Sequence, residues 1–213
     1  MIAHMIRRRL NPFNCVVILI DFQTHLLLTI GSIAPQTLIE NASDLARIAK
    51  LLNIPTILTT VGTKSFGGPL IPQLQVIFPS QEPIECTTMS LWDESKVFGV
   101  VEGTGRRRLV MAGLWTDFCV ALTTIQALEL GYEVYVVSDA CGDLSTEAQE
   151  AAIRRMVQAG ATSVECRQVL AELQQDKPLR MPGIHNSVSN RKRKFPSNYI
   201  HPGKLLKTSI LDR

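Results

Sequence analysis

The chain has 213 residues, 46% of them hydrophobic and 19% charged, with a formal net charge of +3. At roughly 150 residues per domain that is enough apolar material for one full-sized core and too much for a disordered chain. The longest apolar run, Cys15 to Ile20, falls far short of the roughly 20 residues that cross a bilayer, which excludes a membrane-spanning helix. The first residues carry arginines with no apolar stretch or small-residue cleavage site behind them, so no secretory signal is expected and a cytoplasmic protein is.

In chain order, CVVILID from Cys15 predicts a strand buried on both faces that stops at Asp21. Leu38, Ala42, Leu45, Ile48, Ala49 and Leu52 recur at helical spacing between Pro35 and Asn53, with Asn53 as a C-terminal cap. PTILTT from Pro55 predicts a second strand, followed by a loop with Gly62, Gly67 and Gly68 and a short segment from Pro69 to Phe78. A weak extended piece from Pro83 to Thr88 precedes a helix expected over Trp92 to Glu102. RRLVMAG, from Arg107 to Gly113, predicts the next main strand, and Cys119 to Leu130 a helix stopped by Gly131, with Cys119 in its first turn. EVYVVSDA from Glu133 predicts a strand ending at Asp139, Thr146 to Gln158 a helix, ATSVEC a last strand, and Gln168 to Asp176 a closing helix.

Strands alternating with helices predict an α/β fold, a doubly wound, mainly parallel sheet. Beyond Lys177 prolines, glycines and asparagines break the pattern, and from Met181 onward seven Lys or Arg face one acid, leaving the body at about −3. The expected organisation is therefore a domain over 1–180 and a basic, poorly structured tail over 181–213. The alternative for the tail is a nuclear-localisation or nucleic-acid patch, but the one run from Arg191 to Lys194 is weak support, and nucleic-acid binding is not expected.

In an open parallel sheet ligands bind beyond the C-terminal strand ends, where the strand order reverses. With an order 3-2-1-4-5-6 that edge carries Asp21, Thr59, Thr60, Asp139 and the turn from Leu114 to Cys119, and Asp21 and Cys119 face one crevice. A thiol in a helix's first turn meets unpaired N–H groups and a positive dipole end that favour thiolate and can hold an oxyanion. A nearby carboxylate can take the thiol proton and return it to a leaving amine. The plainer alternative leaves Cys119 a small buried hydrophobe and Asp21 a structural cap. The other cysteines, five in all without a C-x-x-C pair, are expected to be reduced and to pack in the core. His4, His25, His185 and His201 are isolated, so no metal site is expected, and no Gly-rich phosphate loop follows the first strand; no cofactor is expected.

The series DFQ at Asp21, PTILTT at Pro55, GPL at Gly68, TTMSLWD at Thr87 and GLWTDFCV at Gly113, continued by GYEVYVVSDACG, MVQAGA and LAEL, resembles the isochorismatase-like cysteine hydrolases, closest to their YcaC-like branch. The resemblance runs from about Cys15 to Asp176. It implies a three-layer α/β/α sandwich and hydrolysis of a small amide-like substrate through an Asp, Lys or Arg, and Cys triad, by way of a thioester-type acyl-enzyme. It implies Cys119 as nucleophile, Asp21 as general base, a cis peptide at Leu114–Trp115, an oxyanion hole from the N–H groups of Trp115 and Cys119, and Gln23, Leu114, Trp115 and Thr116 about the pocket. A homo-oligomer is implied as well.

The pattern is broken at one position. Cys86 stands where the family Lys or Arg is expected, and neighbouring Glu85 has the wrong sign. Lys64, in the loop after the second strand, is the substitute cation the sequence offers. The alternative reading is a catalytically impaired homologue that acts as a binding or assembly protein. The metal-bearing amidases of this superfamily have an Asp-x-His cluster where this chain has VGTKSFGG, which disfavours their chemistry.

Overall fold

The structure, a computed structural model, describes residues 9–174. The tail beginning at Met181, with its basic run, and His4, His185 and His201 lie outside that range. Six strands, β1 (Cys15–Ile20), β2 (Thr56–Val61), β3 (Ile84–Cys86), β4 (Arg108–Gly113), β5 (Glu133–Val137) and β6 (Thr162–Val164), pair in parallel in the order β3-β2-β1-β4-β5-β6. The helices are α1 (Thr24–Leu27), α2 (Pro35–Leu51), α3 (Pro72–Ile77), α4 (Ser95–Gly103), α5 (Ala121–Glu129), α6 (Thr146–Ala159) and α7 (Cys166–Leu173). This is the three-layer, doubly wound architecture expected from the sequence.

The two central strands β1 and β4 are buried at every residue, as continuous apolar runs require when helices cover both faces. Strand alternation divides them. Val16, Ile18 and Ile20 join Val97, Val101, Ala121, Ala127, Ala152 and Met156 in one apolar layer under α4, α5 and α6, while Cys15, Val17 and Leu19 turn to the opposite face, where α2 packs with α3 and α7. Each fully buried Ile, Leu or Val contributes roughly 1.5–3 kcal/mol, so the sheet centre is the most firmly fixed part of the molecule.

Several boundaries differ from the sequence reading. The segment expected as one helix over Trp92 to Glu102 divides into a 3-10 turn at Leu91–Asp93 and α4, because the Ser90 side chain caps the Trp92 N–H and Glu94 takes extended backbone. The segment expected over Cys119 to Leu130 divides too: a single π-helical turn, Thr116–Val120, precedes α5. The last strand shortens to three residues and α7 starts at Cys166, where Glu165 and Gln168 form a capping box. Asn53 does end its helix as expected, in the left-handed conformation.

The reversal of strand order falls between β1 and β4, whose register pairs Ile20 with Gly113. A Cβ at Gly113 would stand 2.7 Å from both the Cβ and the carbonyl oxygen of Ile20. Glycine there lets the two strand ends close together and brings Asp21 level with the turn that starts at Leu114.

Candidate active site

Asp21 follows β1 directly and is only 2% exposed. Its backbone is left-handed, with φ of 55°, and the Gln23 N–H donates back to its carbonyl at 2.7 Å. That sharp turn stops the strand and points the carboxylate along the sheet edge. On β2, the neighbouring strand, the Thr59 hydroxyl donates to Asp21 Oδ1 at 2.8 Å and accepts from the Asp21 N–H at 3.3 Å.

Cys119 lies in the π-helical turn after β4 and is 9% exposed. Its thiol and the Asp21 carboxylate act directly on each other's acidity. The two residues that the strand-end argument placed at one edge are thus close enough to influence each other. Burial pushes the Asp21 carboxyl above the usual carboxylate range, opposed by the hydrogen bond from Thr59 and by Cys119 and reinforced by the Glu85 charge. Burial, then the Asp21 charge, hold the Cys119 thiol well above its ordinary value. The thiolate expected from a helix's first turn is therefore not favoured at rest: the sulfur precedes α5 in a π turn, and burial and the Asp21 charge hold its proton.

Cys86 ends β3 and is 2% exposed. It shares the apolar layer with Cys119 and feels the Asp21 charge, and burial is the larger cause of its thiol being pushed up to about 12. Cys86, named by the sequence as standing in the cation's place, is therefore a neutral thiol within reach of the Asp21 charge. Lys64, the substitute cation the sequence offers, sits in the same region. It is exposed on the loop after β2, and its charge acts on Glu85, whose carboxylate accepts from Thr60 Oγ1 and from the Thr63 N–H, each at 2.8 Å. Burial opposes ionisation of Glu85, but the bonds from Thr63 and Thr60 and the Lys64 charge outweigh it and hold the carboxyl below its usual range.

The turn between β4 and Cys119 departs from the family expectation. Every peptide bond among the described residues is trans, including Leu114–Trp115. Trp115 instead takes left-handed backbone, φ 52° and ψ 63°. Of the three non-glycine residues with positive φ, Asp21, Asn53 and Trp115, two flank the thiol, and such conformations persist only where the surroundings enforce them. The anchors are visible: the Leu114 N–H donates to Ile20 O at 3.1 Å, the Thr116 N–H to Gly142 O at 3.3 Å, and the Asp117 N–H to the buried Asp143 carboxylate at 2.9 Å. The Cys119 N–H, expected in the oxyanion hole, donates to Trp115 O at 3.0 Å. The Thr116 hydroxyl is fully buried and has no hydrogen-bond partner.

Gln23, expected on the pocket wall, is fully buried and does another task. Its side-chain oxygen accepts the Val61 N–H at 2.8 Å, and its amide donates to the carbonyls of Val61 at 3.0 Å and Gly68 at 2.6 Å. It clamps the Gly-rich loop to the segment after β1. That loop carries Phe66, 53% exposed, whose ring lies parallel to Trp115 with centroids 6.0 Å apart. Phe66 and Thr59 were not singled out as site residues by the sequence. Thr59 could have been found from the strand-end rule, which named it only as part of the edge; Phe66 had no signal beyond being an aromatic in a glycine loop.

Among the described residues no group of three or more His, Cys, Asp or Glu could hold a metal ion, and no helix is long and apolar enough to cross a membrane. The isochorismatase domain matches residues 15–168. The chain is 34% identical to the probable hydrolase YcaC of Escherichia coli over 85% of its own length and 88% of that protein. Among solved structures it is similar to YcaC from Pseudomonas aeruginosa with hexane-2,5-diol and covalent acrylamide, with a TM-score of 0.80, 36% identity, and coverage of 84% of this chain and 89% of that one. It is also similar to the E. coli YcaC structure, described as an octameric hydrolase of unknown specificity, with a TM-score of 0.76, 36% identity and coverage of 79% and 83%. With the domain match spanning every strand of the sheet and the thiol–carboxylate pair at its switch point, the chain belongs to the isochorismatase family, in its YcaC-like branch.

Proposed function

We propose that this chain is a cysteine hydrolase that cleaves the C–N bond of a small amide through an acyl-thioester on Cys119. The observation that carries the reading is the placement of the Cys119 thiol beside the buried Asp21 carboxylate at the sheet's switch point, close enough for each to act on the other. As the sulfur forms its bond to the substrate carbonyl carbon, its proton passes to Asp21 and the oxyanion accepts the Trp115 N–H. The C–N bond breaks as Asp21 gives that proton to the leaving nitrogen. Water then adds to the thioester, loses a proton to Asp21, and expels the sulfur, which takes the proton back. Covalent acrylamide on the Pseudomonas relative suits a fold that presents a nucleophile, and the E. coli relative is itself described as a probable hydrolase.

The octameric state of the E. coli relative supports a homo-oligomer here, and exposed apolar side chains such as Phe13, Leu28 and Val76 offer surface for it. Five unpaired cysteines suit a reducing, cytoplasmic setting. The test is hydrolysis of an amide panel with intact-mass detection of the acylated protein. The expected result is an adduct on Cys119 and loss of hydrolysis in Cys119→Ala; hydrolysis retained in that variant would refute the reading.

One observation favours a second reading, a homologue that binds without turnover: Cys86 stands where the family cation is expected, and the Lys64 charge acts on Glu85. Cys86→Arg separates the two. Amide hydrolysis that appears only in the variant would establish the impaired homologue, and hydrolysis already present in the parent would exclude it.

A further inference from the structure

The charges that act on the three reacting groups have one sign. Glu85 acts on Asp21; Asp21, Glu94 and Glu85 act on Cys86; Asp21 and Asp117 act on Cys119. The Lys64 charge acts on Glu85. These acids are fixed groups rather than drifting surface charges. Glu85 is held by Thr60 and Thr63, and Glu94 accepts from both the N–H and the hydroxyl of Thr87 at 2.9 Å. A chemistry that needs a positive charge beside Asp21 thus sits in negative surroundings, with a short neutral thiol where the long cation belongs.

A second, independent feature points the same way. Trp115, whose carbonyl receives the Cys119 N–H, lies parallel to Phe66, and Phe66 is more than half exposed. Aromatic faces attract cations, Trp most strongly. In the same turn the fully buried Thr116 hydroxyl still has no partner.

We infer that the substrate of this site is a small amide bearing a fixed positive charge, an alkylammonium or a guanidinium, which supplies the charge that Cys86 does not and is recognised by Glu85 and the Phe66–Trp115 pair. This rests on Cys119 being the nucleophile. The substrate then completes the triad: its arrival stabilises the Asp21 carboxylate and the developing Cys119 thiolate together, and a neutral amide of equal shape gains neither effect.

The test uses the full chain and two methanethiosulfonate reagents of similar size and opposite charge, one with a trimethylammonium and one with a sulfonate group. Their rates at Cys119, followed by peptide mass mapping, are each divided by the rate with a small free thiol. The cationic reagent is expected to be favoured about tenfold at ~0.01 M ionic strength and severalfold less at about 0.15 M, as screening requires. Glu85→Gln, an exposed substitution, lowers the preference severalfold, and Cys86→Arg brings it to unity or below. Equal labelling by both reagents, or a preference for the sulfonate, overturns the inference and leaves the nucleophile standing. If neither reagent labels Cys119 in the folded chain while both do after unfolding, the nucleophile fails and this inference with it. In turnover, a trimethylammonium amide should exceed its neutral neopentyl isostere in kcat/KM by about tenfold or more, and Phe66→Ala should cost the cationic amide more than the neutral one; equal kcat/KM for the two amides overturns the inference.

Discussion

Replacing Asp21 by Asn separates what this carboxylate does for chemistry from what it does for the fold. The side chain is 2% exposed and bonded by Thr59 at 2.8 Å, and it ionises against burial and the Glu85 charge. Asn keeps the shape and the oxygen that accepts from Thr59 but can take no proton. A positioned general base contributes typically 10²–10⁴-fold, so kcat/KM for amide hydrolysis is expected to fall by about that factor, roughly 3–5 kcal/mol of barrier. Stability should move the opposite way. A carboxyl whose folded pKa is raised is most compatible with the fold when protonated; its contribution is fully present below the unfolded-state pKa and is lost as pH rises through the folded value. Above that folded value the parent therefore carries a buried charge that the variant lacks. The variant is expected to be the more stable by on the order of 1 kcal/mol, or about 2–4 °C in Tm at this chain length. The difference should shrink as pH falls below the folded value. Thermal unfolding across pH, paired with hydrolysis rates, reads both effects. A variant that unfolds earlier than the parent above that value, or that hydrolyses as fast, would refute the reasoning.

Three further expectations follow from other parts of the site. Gly113→Ala should cost about 2 kcal/mol or more by forcing β1 and β4 apart, since its Cβ would meet Ile20 at 2.7 Å; Gly99→Ala, in α4 with nothing within 4 Å of the new Cβ, should stabilise by about 0.5–1 kcal/mol. Denaturant unfolding of the two variants checks the contrast. Gln23→Ala removes two hydrogen bonds to Val61 at the end of β2 and one to Gly68 of the Gly-rich loop, at roughly 2–4 kcal/mol, and should raise amide exchange at Gly67 and Gly68 before it unfolds the sheet. Finally, beyond the reaction assisted by Asp21, Cys119 alkylation should accelerate again only at a pH above the ordinary thiol range, because burial and Asp21 hold its proton; a second rise within the ordinary thiol range would contradict this.

What the sequence made legible was whatever a strand end dictates. The continuous apolar runs at Cys15 and Arg108 placed β1 and β4 side by side, and parallel registry alone brings Asp21 level with Leu114. Thr59 lay one strand away by the same rule. What escaped was local backbone geometry. The π turn at Thr116–Val120 and the left-handed Trp115 come from anchors at Gly142 and Asp143, distant in sequence, so the sequence reading has a plain turn from Leu114 and an ordinary helix starting at Cys119. Gln23 illustrates a different difficulty: its place beside Asp21 suggested the pocket, but the Gly-rich loop captured its amide. Lys64 was a candidate by proximity in sequence to β2, and three-dimensional proximity assigned its charge to Glu85. The stacking of Phe66 on Trp115 joins two loops that no spacing rule connects.

The most direct test of the central claim, that Asp21 and Cys119 form one reactive unit, is the alkylation rate of each cysteine by peptide mapping in the parent and in Asp21→Asn. Burial pushes Cys15 up to about 11 and Cys86 and Cys141 to about 12, and Cys119 is held up by burial and by the Asp21 charge, so thiol acidity alone gives Cys119 no advantage. In the parent, Cys119 should nonetheless react fastest, with Asp21 taking its proton during attack, and the Asn variant should lose that lead. Equal rates for Cys119 and Cys15 in the parent, or a lead that survives in Asp21→Asn, would contradict the claim.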